Sequence, residues 1–226
     1  MRKPGAVIFD MDGVLIDSEP VHCEIEKEIF SKLGIVVPQT LHQSYMGASN
    51  EFMYTDLKSR FNLRESVSEL MNTDDLYRSG YFERLGDIHL KEGVHDLLSE
   101  LRSEGLKLAV GTSSSPKIVN VLLNRCEIAS FFDVVVTTAE AGASKPSPEV
   151  YQLVAQKIGV VSENCIVFED SPNGIRAAKN AGMFCIAVQP DSAFDLSEAD
   201  FRIRTFKEFK LNRLLEVFNK KYFTED

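Results

Sequence analysis

The chain has 226 residues, with 25 Lys and Arg against 34 Asp and Glu, a formal charge of −9. That balance excludes a nucleic-acid partner held by a broad basic surface, while 44% hydrophobic and 26% charged residues describe an ordinary globular chain long enough for a sizeable core. No window reaches the roughly 18 apolar residues of a membrane span, and Met1-Arg-Lys-Pro4 leads into the first apolar run without a secretory signal. Cys23, Cys126, Cys165 and Cys185 are scattered with no Cys-x-x-Cys pair, so zinc ligation and a disulfide framework are not expected. Reduced thiols in a cytoplasmic protein are.

The first element is Ala6-Val-Ile-Phe9, a short apolar run without polar alternation that reads as a buried strand. It delivers Asp10 and Asp12 with one residue between them. In an extended chain the two would share a side, roughly 6–7 Å apart at about 3.3 Å rise per residue. Such a pair is stable only with a cation, a shared proton or nearby positive groups. Gly13 allows a sharp turn and leaves room for a ligand. The same residues also read as an ordinary Asp-Gly turn after a solvated strand end, and the pair alone does not decide between the two.

A polar, helical stretch follows to about Leu85. Pro20 to Leu33 is predicted as a helix, with Val21, Ile25, Ile29, Phe30 and Leu33 on one face, proline in the first turn and Gly34 past the end. Further helices are expected at Gln39–Tyr45, Asn50–Phe61 and Glu65–Leu85. From Gly93 helices and strands alternate: helix Val94–Glu104, strand Leu106–Gly111, helix Pro116–Arg125, strand Val134–Thr138, helix Pro148–Ile158, strand Cys165–Glu169, helix Pro172–Ala181 and strand Phe184–Val188. Phe201-Arg-Ile-Arg204 reads as an edge strand and Leu211–Phe223 as an amphipathic helix. This alternation implies an α/β fold, a doubly wound parallel sheet with crossover helices. In such sheets ligands bind beyond the carboxyl ends of the strands.

Three further strand ends carry chemistry. Gly111-Thr-Ser-Ser-Ser115 offers the Thr112 hydroxyl and a run of backbone N–H groups, Ser113 among them, ahead of a helix. That suits an anion, and equally an N-cap provided by Ser114 or Ser115. Lys145 is the only basic residue in Ala143-Ser-Lys-Pro-Ser-Pro148, whose prolines restrict its backbone; by itself it reads equally as a solvated loop lysine. Cys165–Phe168 ends in Glu169-Asp170, one acid more than capping the next helix requires. Four carboxylates in two places suit Mg²⁺, which takes oxygen donors and shares its shell with substrate phosphate.

Taken together, Asp10-x-Asp12-Gly13-Val14, Thr112 after a strand, Lys145-Pro146 and Glu169-Asp170 resemble the haloacid dehalogenase superfamily over residues 6 to 190. Phe9-Asp-Met-Asp-Gly-Val-Leu-Ile-Asp-Ser-Glu-Pro20 and Val167-Phe-Glu-Asp-Ser-Pro-Asn-Gly174 are similar to the branch holding β-phosphoglucomutase and sugar-phosphate phosphatases. The resemblance implies a Rossmannoid core at 1–16 plus 86–226, with a small helical cap domain inserted at 17–85. It also implies that Asp10 is the nucleophile and Asp12 the general acid/base. Thr112 and Lys145 would hold the transferring phosphoryl group, with Gly13 and Ser113 beside it. Asp10, Asp170 and the Asp12 carbonyl would bind Mg²⁺, with Glu169 supporting that shell. Glu19 and His22 near the hinge, and Ser49 and Asn50 in the cap loop, are candidate substrate contacts. Asp12 is expected to have its acidity raised towards neutral by its acidic surroundings.

Where β-phosphoglucomutases carry an arginine after a Gly-x-Ser, this chain has Asn50, and Thr73-Asp-Asp75 stands where a cap lysine would. Arg78 is the remaining candidate for a second-phosphate clamp. The expectation is therefore a Mg²⁺-dependent phosphatase for a small phosphorylated metabolite, acting as a monomer without nucleic-acid or membrane partners. The alternatives are a β-phosphoglucomutase-type mutase and a non-catalytic module that binds phosphate and Mg²⁺.

Overall fold

The computed structural model describes residues 3–45, 49–188 and 195–220. Six strands form one parallel sheet: β1 (Ala6–Phe9), β2 (Lys107–Thr112), β3 (Val134–Thr137), β4 (Cys165–Glu169), β5 (Phe184–Val188) and β6 (Phe201–Ile203). Their spatial order is β3-β2-β1-β4-β5-β6, so β1 lies between β2 and β4 at the point where the winding reverses. This is the place where a doubly wound sheet opens a crevice at its strand ends.

Period-two alternation in β1 serves two cores at once. Val7 and Phe9 face one apolar layer, and Ala6 and Ile8 face the other. The first layer is closed by α5 (Val94–Ser103), α6 (Pro116–Arg125) and α10 (Leu211–Lys220), through Leu97, Leu122 and Phe218. The second is closed by α8 (Glu149–Ile158) and α9 (Pro172–Asn180), through Tyr151, Val154 and Ile175. Burial on both faces explains why β1 and β5 are apolar throughout and why β2 and β4 have apolar interiors.

The stretch between β1 and α5 folds as α1 (Glu19–Lys32), α2 (Gln39–Ser44), α3 (Asn50–Phe61) and α4 (Val67–Arg84). Phe30, Ile35, Tyr45, Met53, Tyr54, Leu57 and Leu70 make a third apolar cluster among them. Ser66 and Glu69 form a reciprocal capping box at the start of α4. The two connections to the sheet are tied together: Asp17 N–H donates to the His89 carbonyl and Lys91 N–H to that of Leu15, each at about the length of a strand bond (3.0 and 2.9 Å). At the other end of α4, Arg125 of α6 donates to the carbonyls of Phe82, Glu83 and Gly86. Carbonyls left unpaired at a helix end thus find a cation.

The elements fall where the sequence reading puts them, to within a residue or two. A short helix, α7 (Thr138–Ala141), was not expected; Thr137 caps it by accepting the Glu140 N–H at 3.2 Å. The last part of the expected C-terminal helix, 221–223, lies outside the described residues. Among the described residues no helix is long and apolar enough to cross a membrane.

The sheet's interior rests on an aromatic stack under the strand ends. Phe168 lies 5.1 Å from Phe9, 5.2 Å from Phe206 and 5.8 Å from Phe209, ring centre to ring centre, with no exposed surface. Replacing Phe168 by Ala is expected to cost about 3–5 kcal/mol of stability, read as a lower urea midpoint at unchanged slope.

Candidate functional site

Strand order brings the expected residues together. Asp10 follows β1, Thr112 ends β2, and Glu169 ends β4 with Asp170 next. Lys145, from the loop between α7 and α8, reaches the gap between β1 and β4. Its ammonium donates to Asp10 Oδ1 at 2.6 Å, Glu169 Oε1 at 2.7 Å and the Gly111 carbonyl at 3.0 Å. Three N–H bonds and three acceptors leave the lysine fully used, and its side chain is almost wholly buried. The solvated-loop reading of Lys145 is thereby set aside.

Glu169 is a brace. Its Oε1 accepts from Lys145 and from the Tyr151 hydroxyl at 2.7 Å; its Oε2 accepts from the backbone N–H groups of Asp170 and Ser171 and from the Ser171 hydroxyl. Gly174 is required beneath it, since a Cβ there would lie 1.7 Å from Oε1. The carboxylate has no lone pair to spare for a metal, so Glu169 supports its neighbours and does not ligate. Burial opposes its charge, but Lys145 and these donors hold its pKa below the ordinary value.

Asp10 sits on the other side of the same ammonium and titrates in the opposite direction. Burial, only partly offset by Lys145 and reinforced by Glu169 and Asp12, pushes it up to about 8. Lys145 is pushed up in turn: burial opposes its charge, and the two carboxylates outweigh burial.

Asp12 corrects an expectation. Its acidity was expected to rise towards neutral, yet it is held at about 2. Burial would raise it, but hydrogen bonds from His22, Ser114 and Ser18 overcome burial. Ser18 and Ser114 each donate at 2.6 Å, to Oδ1 and Oδ2, and His22 Nε2 lies 3.0 Å from Oδ1. Ser18 stands at the N-cap of α1 without capping it, because its hydroxyl is turned to Asp12. Ser115, not Ser114, caps α6.

His22 is held from behind by Arg78, whose Nη1 lies 2.8 Å from His22 Nδ1. The guanidinium can only donate, so Nδ1 accepts and Nε2 carries the proton given to Asp12. Arg78 also donates to Asp74 Oδ2 at 2.7 Å and Glu26 Oε1 at 3.0 Å. Asp74 Oδ1 accepts the Tyr54 hydroxyl at 2.7 Å, and Glu26 Oε2 is paired with His42 Nε2. Arg78, the one remaining candidate for a second-phosphate clamp, is thus already engaged: the side chain is buried and faces two carboxylates.

The remaining candidates are more loosely placed. Thr112, 1% exposed, accepts the Ser114 N–H on Oγ1 at 3.1 Å, and Ser113 is exposed. Ser49 caps α3, accepting the Phe52 N–H, and Asn50 is exposed on its first turn. The side chain of Glu19, and Gly47 with Ala48, lie outside the described residues. Sequence reasoning missed Ser18, Ser114, Tyr151 and the Asp74–Arg78–Glu26 cluster. Two i,i+4 spacings, His22 with Glu26 and Asp74 with Arg78, were the available signal.

Among the described residues no three His, Cys, Asp or Glu side chains form a metal cluster. The donors nevertheless fit a hard cation. Asp10 and Asp170 bring carboxylates, and Asp170 lies so close to the Asp12-Gly13 backbone that a Cβ on Gly13 would be 1.9 Å from its Oδ2. Oxygen donors numbering two carboxylates and a carbonyl, with more negative than positive charge around them, suit Mg²⁺.

Fold and site define an α/β enzyme with paired carboxylates and a lysine at the switch point of its sheet. The chain belongs to the haloacid dehalogenase-like hydrolases, whose family profile matches residues 7–188. The phosphorylated carbohydrates phosphatase of Thermotoga maritima is 34% identical over 180 residues, 79% of this chain and 82% of that one. The β-phosphoglucomutase of Bacillus subtilis is 29% identical over 223 residues, 95% and 96% of the two chains. Among solved structures, a variant of CbbY from Rhodobacter sphaeroides in complex with xylulose-(1,5)bisphosphate superimposes with a TM-score of 0.82 at 26% identity, over 93% of this chain and 99% of that one.

The raised Asp10 makes a stability prediction for metal-free protein. A carboxyl whose folded pKa is about 8 against an ordinary 3.8 supports the fold below about pH 4, and that support is lost as pH rises through 8. Asp10→Asn is expected to melt higher than wild type at pH 8, by about 2–4 °C per kcal/mol recovered, with a smaller difference at pH 5. Calorimetric scans in chelator at the two pH values check it.

Proposed function

We propose that the protein is a Mg²⁺-dependent phosphatase that hydrolyses a small sugar phosphate through an aspartyl phosphate on Asp10. The observation that carries this reading is the convergence of Asp10, Asp12, Lys145 and Asp170 on the strand ends at the winding switch. In it residues 17–85 are a cap domain over a catalytic part formed by 1–16 and 86–226, and the protein acts as a cytoplasmic monomer.

Asp10 attacks phosphorus, the bond to the leaving oxygen breaks, and Asp12 gives that oxygen its proton. Asp12 then takes a proton from water, whose oxygen attacks the phosphoryl group and releases phosphate and free Asp10. Ionised Asp12 is already the base of this second step. For the first, the negative charge of a bound phosphate favours its protonated form. Lys145, exchanging one of its present acceptors for a phosphoryl oxygen, and the Thr112 hydroxyl hold the phosphoryl group, and the backbone N–H groups around Ser113 add further donors. Asp10, Asp170 and the Asp12 carbonyl would hold Mg²⁺, which when bound would neutralise charge between the anionic nucleophile and the phosphate. Ser18, His22 and Ser114 keep Asp12 aimed, and the helices above exclude water.

Phosphate release from a panel of sugar and small organic phosphates is the test. Activity is expected to need Mg²⁺, to vanish in chelator and to fall about 10³-fold or more in Asp10→Asn. Conversion of β-glucose 1-phosphate to glucose 6-phosphate, primed by a bisphosphate and without net phosphate release, would instead establish a mutase.

A further inference from the structure

Both flanks of His22 are supplied by α4. Arg78 meets its Nδ1 at 2.8 Å, and the ring of Phe82, one turn further on, packs edge to face with the imidazole, 5.3 Å between centres at 75°. Residues four apart share one face of a helix, so a single element fixes the imidazole from two sides. His22 Nε2 in turn lies 3.0 Å from Asp12 Oδ1. How well Asp12 is aimed therefore depends on where the end of α4 sits against the sheet.

That end is held by one residue of the helices that cover the sheet. Arg125, in the last turn of α6, donates through Nη1 to the carbonyls of Phe82 and Glu83 at 2.6 and 3.2 Å, and through Nη2 to that of Gly86 at 3.0 Å. The first of these acceptors belongs to the residue packed on His22. Phe82 has no exposed surface and lies in the sheet's apolar layer with Ile118, Val119, Leu122 and Leu123 of α6. Leu70, near the start of α4, belongs instead to the separate helical cluster. The other end of α6 is tied to the same carboxylate: Ser115 caps the helix, and Ser114 just before it donates to Asp12 Oδ2 at 2.6 Å. A helix of ten residues, about 15 Å long, thus sets the position of the serine donor directly and of the imidazole donor through α4.

We infer that Arg125 is a positioning residue for the general acid/base: by pinning the end of α4 it keeps Phe82 and Arg78 against His22, and His22 on Asp12. The inference rests on the phosphatase reading and deepens it. Arg125 is itself exposed and acts only through the helix it holds. Its planar fork presents several N–H groups in fixed directions, which suits carbonyls diverging from one helix end. A lysine at that position carries the same charge on a single nitrogen and serves less well; a methionine keeps the stem and loses all three bonds.

The test uses the full chain at fixed free Mg²⁺ and compares two esters by kcat/KM. The leaving group of p-nitrophenyl phosphate departs without a proton, whereas glucose 6-phosphate, an alkyl ester, needs one from Asp12. Because kcat/KM is governed by the steps up to departure of the first product, the later work of Asp12 as base does not enter. Arg125→Met is expected to lower the value for glucose 6-phosphate by about tenfold, part of what a general acid contributes, and that for p-nitrophenyl phosphate by no more than about twofold. Arg125→Lys is expected to recover part of the loss, and it carries the comparison if the methionine variant does not fold, which melting curves establish. In a His22→Ala background Arg125→Met is expected to add nothing, since its effect passes through the ring. Equal losses on the two esters, or a full further loss in that background, overturn the inference. The His22 ring signals in proton–nitrogen spectra at fixed pH, identified by their absence from His22→Ala, give a readout without turnover and are expected to shift or broaden in Arg125→Met. Wild type that hydrolyses neither ester, with those signals moved, removes the phosphatase reading and leaves the placing of His22 by Arg125. Both esters hydrolysed with those signals unmoved removes this inference alone.

Discussion

One ammonium group shared by two buried carboxylates organises the molecule. Lys145 cannot be withdrawn from water without partners, and Asp10 and Glu169, delivered by neighbouring strands, cannot both stay ionised without it. The competition resolves unevenly. Glu169 adds a tyrosine hydroxyl, a serine hydroxyl and two backbone N–H groups to its share of the lysine, and so keeps its charge. Asp10 has the lysine and burial, and so carries the excess cost. The carboxylate that is worst served by the protein is the one to which the proposed reaction assigns the attack on phosphorus. In the proposed reaction a cation and a phosphoryl group would relieve that burden, and a site that gave Asp10 the donors of Glu169 would be more stable and less reactive.

Asp12, two residues along, shows the opposite treatment. Ser18 comes from the start of α1, His22 from its first turn, and Ser114 from the loop after β2. An acid held by donors from both the helical stretch and the sheet reports how those two parts sit. Two of its three hydrogen bonds come from residues of the helical stretch, Ser18 and His22, and one from the sheet side, Ser114. The ionisation of Asp12 is therefore tied to how the helical stretch is seated on the sheet. It follows from which elements supply the donors.

The sheet was readable because both of its faces are buried. Strands with apolar interiors, several of them followed by proline-led helices, have few alternative foldings, and β1 with the two acids that follow it fixes where to look. Lys145 and Glu169-Asp170 were legible only through their order along the chain, since each alone has an ordinary explanation. The network behind His22 was not legible, for a physical reason. In α4 the usual pattern is inverted: Asp74 and Arg78 are 1% and 4% exposed, while Leu76 between them is 64% exposed. Apolar periodicity locates faces buried by hydrophobic contact, and this face is buried by charge pairing. Reading Thr73-Asp-Asp75 as a bare acidic patch missed that Asp74 is neutralised one turn later.

That inversion also bears on why a buried ion cluster stands where apolar packing would be cheaper. An Arg–carboxylate pair is seldom a net source of stability once desolvation is counted, so Tyr54, Asp74, Arg78 and Glu26 are poor value as core. What they provide is direction. A guanidinium that can only donate dictates which nitrogen of His22 accepts, and hence which one carries the proton turned toward Asp12. An apolar side chain in its place would leave the imidazole free to flip or to change tautomer, and Asp12 would lose a donor of fixed position. Specific orientation of one ring, obtained at some expense in stability, is what this buried cluster gives the strand-end site.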